Sequence, residues 1–414
     1  MTTSGIFRAG YAKRDITPDT PLPLWGYDSS MRPNPLSTGV LDPLFAKTLV
    51  LEAAGRRLAV VGLDLGRAPT RPIVNAVREA ARSRHNVDGV LLCASHTHHA
   101  PVLELRDEPG RGQGVYDDAV QYVAFLRDTI IDAIGEAASL LQPAQIAAAS
   151  AACSLNRNRH TQQRDKPADQ TLTVVRLDDD TGHPLAILVN YAGHPTLYPP
   201  QKQLISAEYP GVMMATIEKT MNAPCLFLQG ACGDLQIDID DDAWGQKDFI
   251  YETGATLAHD VLRLAENLKT SAPLSVSLGV EEKDFAFESQ LDFTNPGIVA
   301  GFGKSFFPEL AQSAADDYGK CLRPHLTTAL LNGSLAFVGV SGEFFCAHAL
   351  RLREKLSGMH LLFAGYCNGH EMYFPTLEAL QEGGYGADLE SSWVSAGAGE
   401  EMMEAAAKSI AGMR

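Results

Sequence analysis

Five apolar runs in this chain end in the same way, and that repetition constrains the fold more than any other feature. Residues 58–63 lead to Asp64, and residues 90–94 lead to Ser95-His96-Thr97-His98-His99. Residues 185–189 run through Asn190-Tyr191-Ala192 to Gly193-His194. Residues 225–229 lead to Gly230-Ala231-Cys232-Gly233-Asp234, and residues 335–340 to Ser341-Gly342-Glu343. Short apolar runs bounded by turn residues read as buried strands. Glycines beside their ends let the backbone turn sharply or approach a ligand. Each strand end therefore offers a side chain of ligand type.

Helical periods fill the spaces between. Ile73, Val74, Val77 and Ala81 share a face in 71–84, and Val120, Val123, Leu126, Ile130, Ile131 and Ile134 do so from Asp117 to about Leu141. Further helices are expected after Ser206 to 221, over 246–268, 344–356 and 397–412. Strands are expected over 44–52, 57–64, 144–154, 172–177, 274–288 and 360–365, besides the runs above. The opening, Ala12-Lys13-Arg14-Asp15-Ile16-Thr17-Pro18 and on to Pro35, reads as a proline-punctuated surface segment after one short strand. Residues 102–115 and 156–169 read as pocket-shaping loops, and 289–325 as a third pocket segment of mixed character. No internal repeat and no linker appears. The expectation is α/β, a mixed β-sheet core flanked by helices in a single large domain over 1–414.

In α/β proteins, sites are built where strands end and loops begin. In extended chain, side chains two apart share a face, so His96 and His98 point into one site and His99 points away to the structure or the pocket rim. His96, His194 and Glu343 make a suitable ligand set for a catalytic zinc with an open position for water. The unligated imidazole of His98 suits a general base and acid. Arg157 suits an anionic substrate group or a developing oxyanion. Asp64 and Asp234 are candidates for substrate contact. The acidic run Asp238-Ile239-Asp240-Asp241-Asp242 lacks the alternation of a calcium loop and reads as solvated.

Composition excludes several classes. A net charge of -16, from 34 Lys+Arg against 50 Asp+Glu, disfavours nucleic acid and anionic membranes as partners. No apolar run approaches the roughly 18 residues of a membrane span. The start, Met1-Thr2-Thr3-Ser4-Gly5-Ile6-Phe7-Arg8, lacks the pattern of a signal peptide, so a cytoplasmic location is expected. The seven scattered cysteines, without a Cys-x-x-Cys pair, read as reduced.

Several stretches, taken in order, resemble the N-terminal catalytic domain of the neutral/alkaline ceramidase family. They are 12–18, Ser95 to Pro101, Asn156-Arg157, Gly193-His194-Pro195-Thr196, Ile205 to Gly211, Gly230 to Asp234, Gly342-Glu343-Phe344, and Asn368 to Tyr373 with Pro375-Thr376, trailing to Gly383-Gly384-Tyr385. The resemblance implies a zinc amidase whose metal is held by His96, His194, Glu343 and Tyr373, with His98 beside it. It also implies that Asn156 and Arg157 lie at the substrate side. Two departures stand out. Gln236 occupies the position of a family serine; an amide cannot be a hydroxyl nucleophile but can donate a hydrogen bond to an oxyanion. The sequence ends at Arg414, before the family's C-terminal β-sandwich domain. The expected activity is hydrolysis of a small or amphiphilic non-peptide amide other than ceramide. The alternatives are a zinc-dependent ester or lactone hydrolase and a non-catalytic metal- or substrate-binding relative.

Overall fold

The computed structural model describes residues 5–160, 166–244 and 248–414. Strands β1 (Arg8–Asp15), β2 (Phe45–Ala53), β3 (Arg56–Leu63), β4 (Gly89–Ala94), β5 (Gln142–Ala152), β6 (Thr171–Asp179), β7 (Pro184–Tyr191) and β8 (Cys225–Gln229) form one mixed sheet. Their spatial order is β8-β7-β6-β5-β1-β2-β3-β4. A second sheet has the order β9 (Leu278–Asp284), β10 (His325–Leu331), β11 (Leu335–Val340), β12 (His360–Ala364). The helices that matter here are α1 (Arg71–His85), α2 (Asp117–Ser139), α3 (Glu208–Met221), α4 (Ile250–Asn267), α5 (Pro296–Ser305), α6 (Pro308–Tyr318), α7 (Cys346–Lys355) and α8 (Ala398–Gly412).

The period of two along each strand builds four layers. Val50, Ala59 and Val61 face α1 and α2, while their neighbours Leu49, Leu51 and Val60 face Ala329, Leu331 and Phe337 of the second sheet. Val174, Ile187 and Val189 face α3 and α4. Val338 and Val340 face α7 and α8. The order is helices, large sheet, small sheet, helices. A strand covered on both faces needs apolar side chains on both, hence the unbroken apolar runs. Polar clamps cross the dry layer between the sheets. Asn190 Nδ2 donates to Phe363 O at 2.8 Å and Asn190 Oδ1 accepts from Phe363 N at 3.1 Å. Asn368 Oδ1 accepts from Leu92 N at 2.9 Å and its Nδ2 donates to Val90 O at 2.7 Å.

One connection recurs three times. A hairpin of two antiparallel strands is followed by a helix and a strand parallel to the second hairpin strand. The units are β2-β3-α1-β4, β6-β7-α3-β8 and β10-β11-α7-β12. The sequence shows no repeat because the three units share topology and not residues. The middle strands end just before Asp64, His194 and Glu343. The last strand of the first unit leads to His96 and that of the third to Tyr366.

The α/β class, the mixed sheet and the helical flanks agree with the sequence reading. Three elements differ. Ala12 to Asp15 belong to β1, which lies inside the large sheet and not on the surface. Its charges disguise it: Lys13 reaches over the sheet to Glu218 at 3.2 Å. Strand β10 was not expected; its Thr327 and Thr328 are buried and hydrogen-bonded. The mixed stretch 289–325 contains α5 and α6, each opened by a proline that fits a first helical turn. The expected helix 246–268 is described from Ile250; its start at 246 and 247 lies outside the described residues, as do 161–165 of the expected loop. Among the described residues, no helix is long and apolar enough to cross a membrane.

Candidate metal centre

The three units bring their strand ends to one point. His96 follows β4 with φ of 70°, so the chain leaves extended geometry there. The expected face-sharing of His96 and His98 nevertheless occurs, through a left-handed turn and not a continued strand: their Nε2 atoms are 3.4 Å apart. His194 Nε2 lies 3.0 Å from His96 Nε2. Glu343 Oε2 is 3.4 Å from His96 Nε2 and 3.3 Å from His194 Nε2. All three side chains are buried. Gly233 makes the convergence possible, because a Cβ there would come within 2.5 Å of the Glu343 carbonyl oxygen. Its N–H donates to Phe344 O at 3.0 Å, sewing the two sheets together beside the cluster.

The ring nitrogens are assigned by their partners. His96 Nδ1 faces Gly66 O at 2.7 Å; His194 Nδ1 faces Cys232 O at 2.8 Å and Leu235 O at 3.1 Å. A carbonyl only accepts, so each Nδ1 carries the hydrogen and each Nε2 presents a lone pair. Two such nitrogens and a carboxylate oxygen converge within 3.4 Å of one another. That donor set fits a divalent metal ion bound by imidazole and carboxylate. The ring nitrogens of His96, His98 and His194 lie within 4.8 Å of one another, so this group could hold a metal ion.

Surrounding side chains set the charges. Burial alone would raise the Glu343 carboxyl, but His96, His194 and His370 hold it well below its usual range. His370 Nε2 lies 3.1 Å from Glu343 Oε1 and Tyr366 OH donates to Oε2 at 3.2 Å. Burial, with Arg159 beside it, pushes His194 down to about 3, which keeps the ring neutral and able to bind a cation. Arg159 Nη2 touches His194 Nε2 at 2.9 Å and Tyr373 OH at 3.0 Å, and Tyr373 OH meets Tyr385 OH at 3.1 Å. Four residues near the cluster, His96, Tyr366, Asn368 and Met372, have positive φ. Backbone strain of this kind collects at functional sites.

Glu343 lines a cavity of about 930 Å³ together with His98, His370, Arg159 and Tyr373, while His96 and His194 lie behind its wall. Its walls include Trp25, Phe293, Phe302, Phe307, Tyr318 and Trp393, from the opening segment, the 291–318 region and the C-terminal part. Each of the three expected pocket segments contributes to it: Val102 and Glu104 from the first, Arg159 from the second, and residues such as Leu291, Ile298 and Leu310 from the third. His98 lies on the cavity wall between Trp25 and Tyr27, whose rings are 5.2 and 4.9 Å away. Gly26, at φ 102°, packs directly on the His98 ring. His98 Nδ1 has no hydrogen-bond partner among the described residues. His99 turns away and faces Leu204 O and Tyr198 O at 3.1 and 3.2 Å.

Not every sequence candidate reaches the cavity. Gln236 and Tyr373 line it. Arg157 points elsewhere and pairs with Asp238 at 3.0 Å; the guanidinium that enters is that of Arg159. Asn156 is buried behind the wall, donating to Asp169 O at 2.9 Å. Asp234 accepts from Cys346 N at 2.6 Å and from Asn158 Nδ2 at 2.9 Å, so it braces the turn behind Glu343. Asp64 lies outside the cavity wall and accepts from Phe45 N at 2.9 Å. Three residues escape the sequence reading, His370, Tyr366 and Arg159. The strand-end rule would have found His370, which follows β12 and the turn Asn368-Gly369. In Asn156-Arg157-Asn158-Arg159, nothing in the sequence separates the two arginines.

Comparison with solved structures finds the same fold in the crystal structure of neutral ceramidase from Pseudomonas aeruginosa. The TM-score is 0.76 at 19% identity, over 99% of this chain and 74% of that one. A structure described as ceramidase complexed with C2 matches at the same TM-score and identity, over 99% and 75%. Comparison with curated protein sequences finds no match. The sequence model of the neutral/alkaline non-lysosomal ceramidase N-terminal region matches residues 7–235, a span that includes β1 to β8, His96, His98 and His194. This chain belongs to the neutral/alkaline non-lysosomal ceramidase family.

Proposed function

We propose that this family hydrolase uses zinc to cleave a non-peptide amide bond of a small or amphiphilic substrate. The observation that carries the reading is the convergence of the His96 and His194 ring nitrogens on Glu343 Oε2, a carboxylate that lines a cavity rich in aromatic side chains. His96, His194, Glu343 and Tyr373 would hold the ion. The chemistry zinc supplies at such a site is acidification of water to a pKa of about 7 and polarisation of a carbonyl.

The chain's own residues then divide the work. His98 faces the cavity and exchanges the proton, first as base towards water and then as acid towards the leaving amine. Arg159 directs a guanidinium at the oxygen where negative charge develops, the role expected of Arg157. Gln236 can add an amide donor to the same oxygen. His370 and Tyr366 fix the Glu343 carboxylate, and Asn156 and Asp234 brace the turns from behind. The aromatic walls exclude water and receive the apolar part of the substrate. The similar solved structures are of ceramidases, and this cavity is proposed to take an amide of another kind.

Metal analysis of the purified protein with a substrate panel tests the reading. Stoichiometric zinc, lost in His96→Ala, and faster turnover of amides than of matched esters and lactones are expected. Absence of zinc from active protein sinks the metal assignment. Faster ester or lactone turnover moves the activity to that class, and zinc without any turnover leaves a binding protein.

A further inference from the structure

We infer that Cys93 and Cys367 are a disulfide site, a covalent tie between the two sheets. The two residues are 274 apart in the chain, so cysteine spacing alone cannot reveal the pair. Cys93 lies in β4 of the large sheet, and Cys367 in the turn that follows β12 of the small one. They face each other as antiparallel partners. The flanking hydrogen bonds define the kind of pair. Ala94 N donates to Tyr366 O at 3.2 Å and Asn368 N donates to Leu92 O at 3.0 Å, while Cys367 N turns away to Val340 O at 2.9 Å. Residues opposed between two such bonds form the closer kind of antiparallel pair, with Cα atoms about 4.5 Å apart. A disulfide spans Cα separations of about 4.4–6.8 Å.

The side chains fit the same reading. The two sulfurs are already 3.7 Å apart, and both residues are fully buried in the dry layer between the sheets. Gly339 leaves the room they use, because a Cβ there would come within 2.7 Å of Cys367 Sγ. Closing the bond removes two electrons and two protons from the pair. With hydrogen peroxide as oxidant, one thiol becomes a sulfenic acid and releases water; the second thiol displaces its hydroxyl as another water, leaving the S–S bond. Burial raises the Cys367 thiol well above its usual range, so the folded pair reacts slowly and the bond closes most readily as the sheets meet during folding. The same burial then shields it from reductants. Cys93 stands three residues before His96 and Cys367 three before His370, so the bond joins the two turns that carry them. The inference is independent of the metal reading.

Peptide mapping of the full chain, after free thiols are blocked with an alkylating agent, tests this. One sample is refolded from urea in a glutathione redox buffer, one is treated with hydrogen peroxide while folded, and a fully reduced sample is the control. A linked Cys93–Cys367 peptide and the loss of two of the seven free thiols are expected, with the higher yield on refolding. The linked protein should melt about 5 °C above the reduced one, since a crosslink closing a long loop restricts the unfolded chain. Cys367→Ala should melt at one temperature under both conditions. Seven free thiols after both treatments, or linkage of either residue to a different cysteine, overturns the inference. A linked wild type that melts no higher than the reduced protein overturns it as well. If Cys367→Ala fails to fold, Cys93→Ala takes its place, and the mapping of the wild type needs neither variant.

Discussion

Asp64 and Glu343 occupy matching places in two of the three repeated units, just beyond the middle strand, and they do opposite things. Asp64 turns back into its own sheet and holds the start of β2 through Phe45 N. Burial raises its carboxyl to about 6, against the pull of Lys47. Glu343 turns outward to the cavity, where three imidazoles and a phenol hold it as an anion. The corresponding place in the remaining unit carries His194. One supersecondary element thus presents three different side chains at the same strand end, and neighbours supplied by other units decide which becomes part of the centre. An anion is stabilised where donors and cations surround it and raised in pKa where burial is uncompensated.

The hardest way to break the contrast is to remove the charge that the centre needs. Glu343→Gln and His194→Ala are each expected to lower kcat/KM by about a thousandfold or more, with loss of bound zinc, since binding and charge stabilisation fail together. Steady-state kinetics and metal analysis on the same preparation check this. Retained metal and near-normal kinetics in Glu343→Gln would reduce Glu343 to the standing of Asp64.

A smaller effect is expected at His370, which touches the carboxylate and not the proposed metal position. Residues that orient metal ligands are typically worth 10- to 100-fold in affinity or activity. His370→Leu should lose roughly that in zinc affinity while the other ligands stay in place. If it loses nothing, Tyr366 alone fixes Glu343.

Next comes the joint between the sheets. Asn368 satisfies Leu92 N, Val90 O and Thr327 Oγ1 with one side chain and has φ of 57°. Asn368→Ala strands these buried groups and forces alanine into the left-handed region. A loss of about 2–3 kcal/mol in unfolding free energy is expected from uncompensated hydrogen bonds of this kind. Urea denaturation measures it. A loss below about 0.5 kcal/mol, the usual range for an uninvolved surface change, would show that the two sheets hold together without this clamp.

The sequence made the strand ends legible because fully buried strands need unbroken apolar runs, and a polar residue just past such a run stands out. His96, His194, Glu343, Asp64 and Asp234 all stand out in this way, whereas the helices show through their 3.6-residue period. The rule locates strand ends but is blind to direction. Asp64 and Glu343 look alike to it, and only the sheet-to-sheet packing that places Glu343 beside Gly233 tells them apart. Arg157 lies within a short strand, Asn156–Asn158, and Arg159 just past its end, a difference that their shared Asn-Arg pattern does not encode. Strands β1 and β10 were hidden for another reason. Their charged or hydroxyl side chains find partners across the sheet, so burial leaves no apolar run to read.

The gentlest way to sharpen the contrast is Asp64→Asn. Its folded pKa of about 6 lies above the ordinary carboxyl value. Below both values the group is neutral in either state and contributes nothing to pH dependence. As pH rises, the unfolded chain ionises first, so this position progressively disfavours folding, and the cost is complete once pH passes about 6. Asparagine imitates the neutral form and removes that slope while still accepting from Phe45 N. Between pH 5 and pH 8 the wild type should therefore lose about 1.5 kcal/mol more unfolding free energy than the variant, at 1.36 kcal/mol per pKa unit. Activity should stay within about twofold, since the side chain is outside the cavity and surface or remote changes rarely couple to the centre. Denaturation at the two pH values and kinetics at one decide the matter. Parallel pH curves would show that Asp64 is already neutral or fully compensated at pH 5, and a large loss of turnover would return Asp64 to the substrate side, where its strand-end position first placed it.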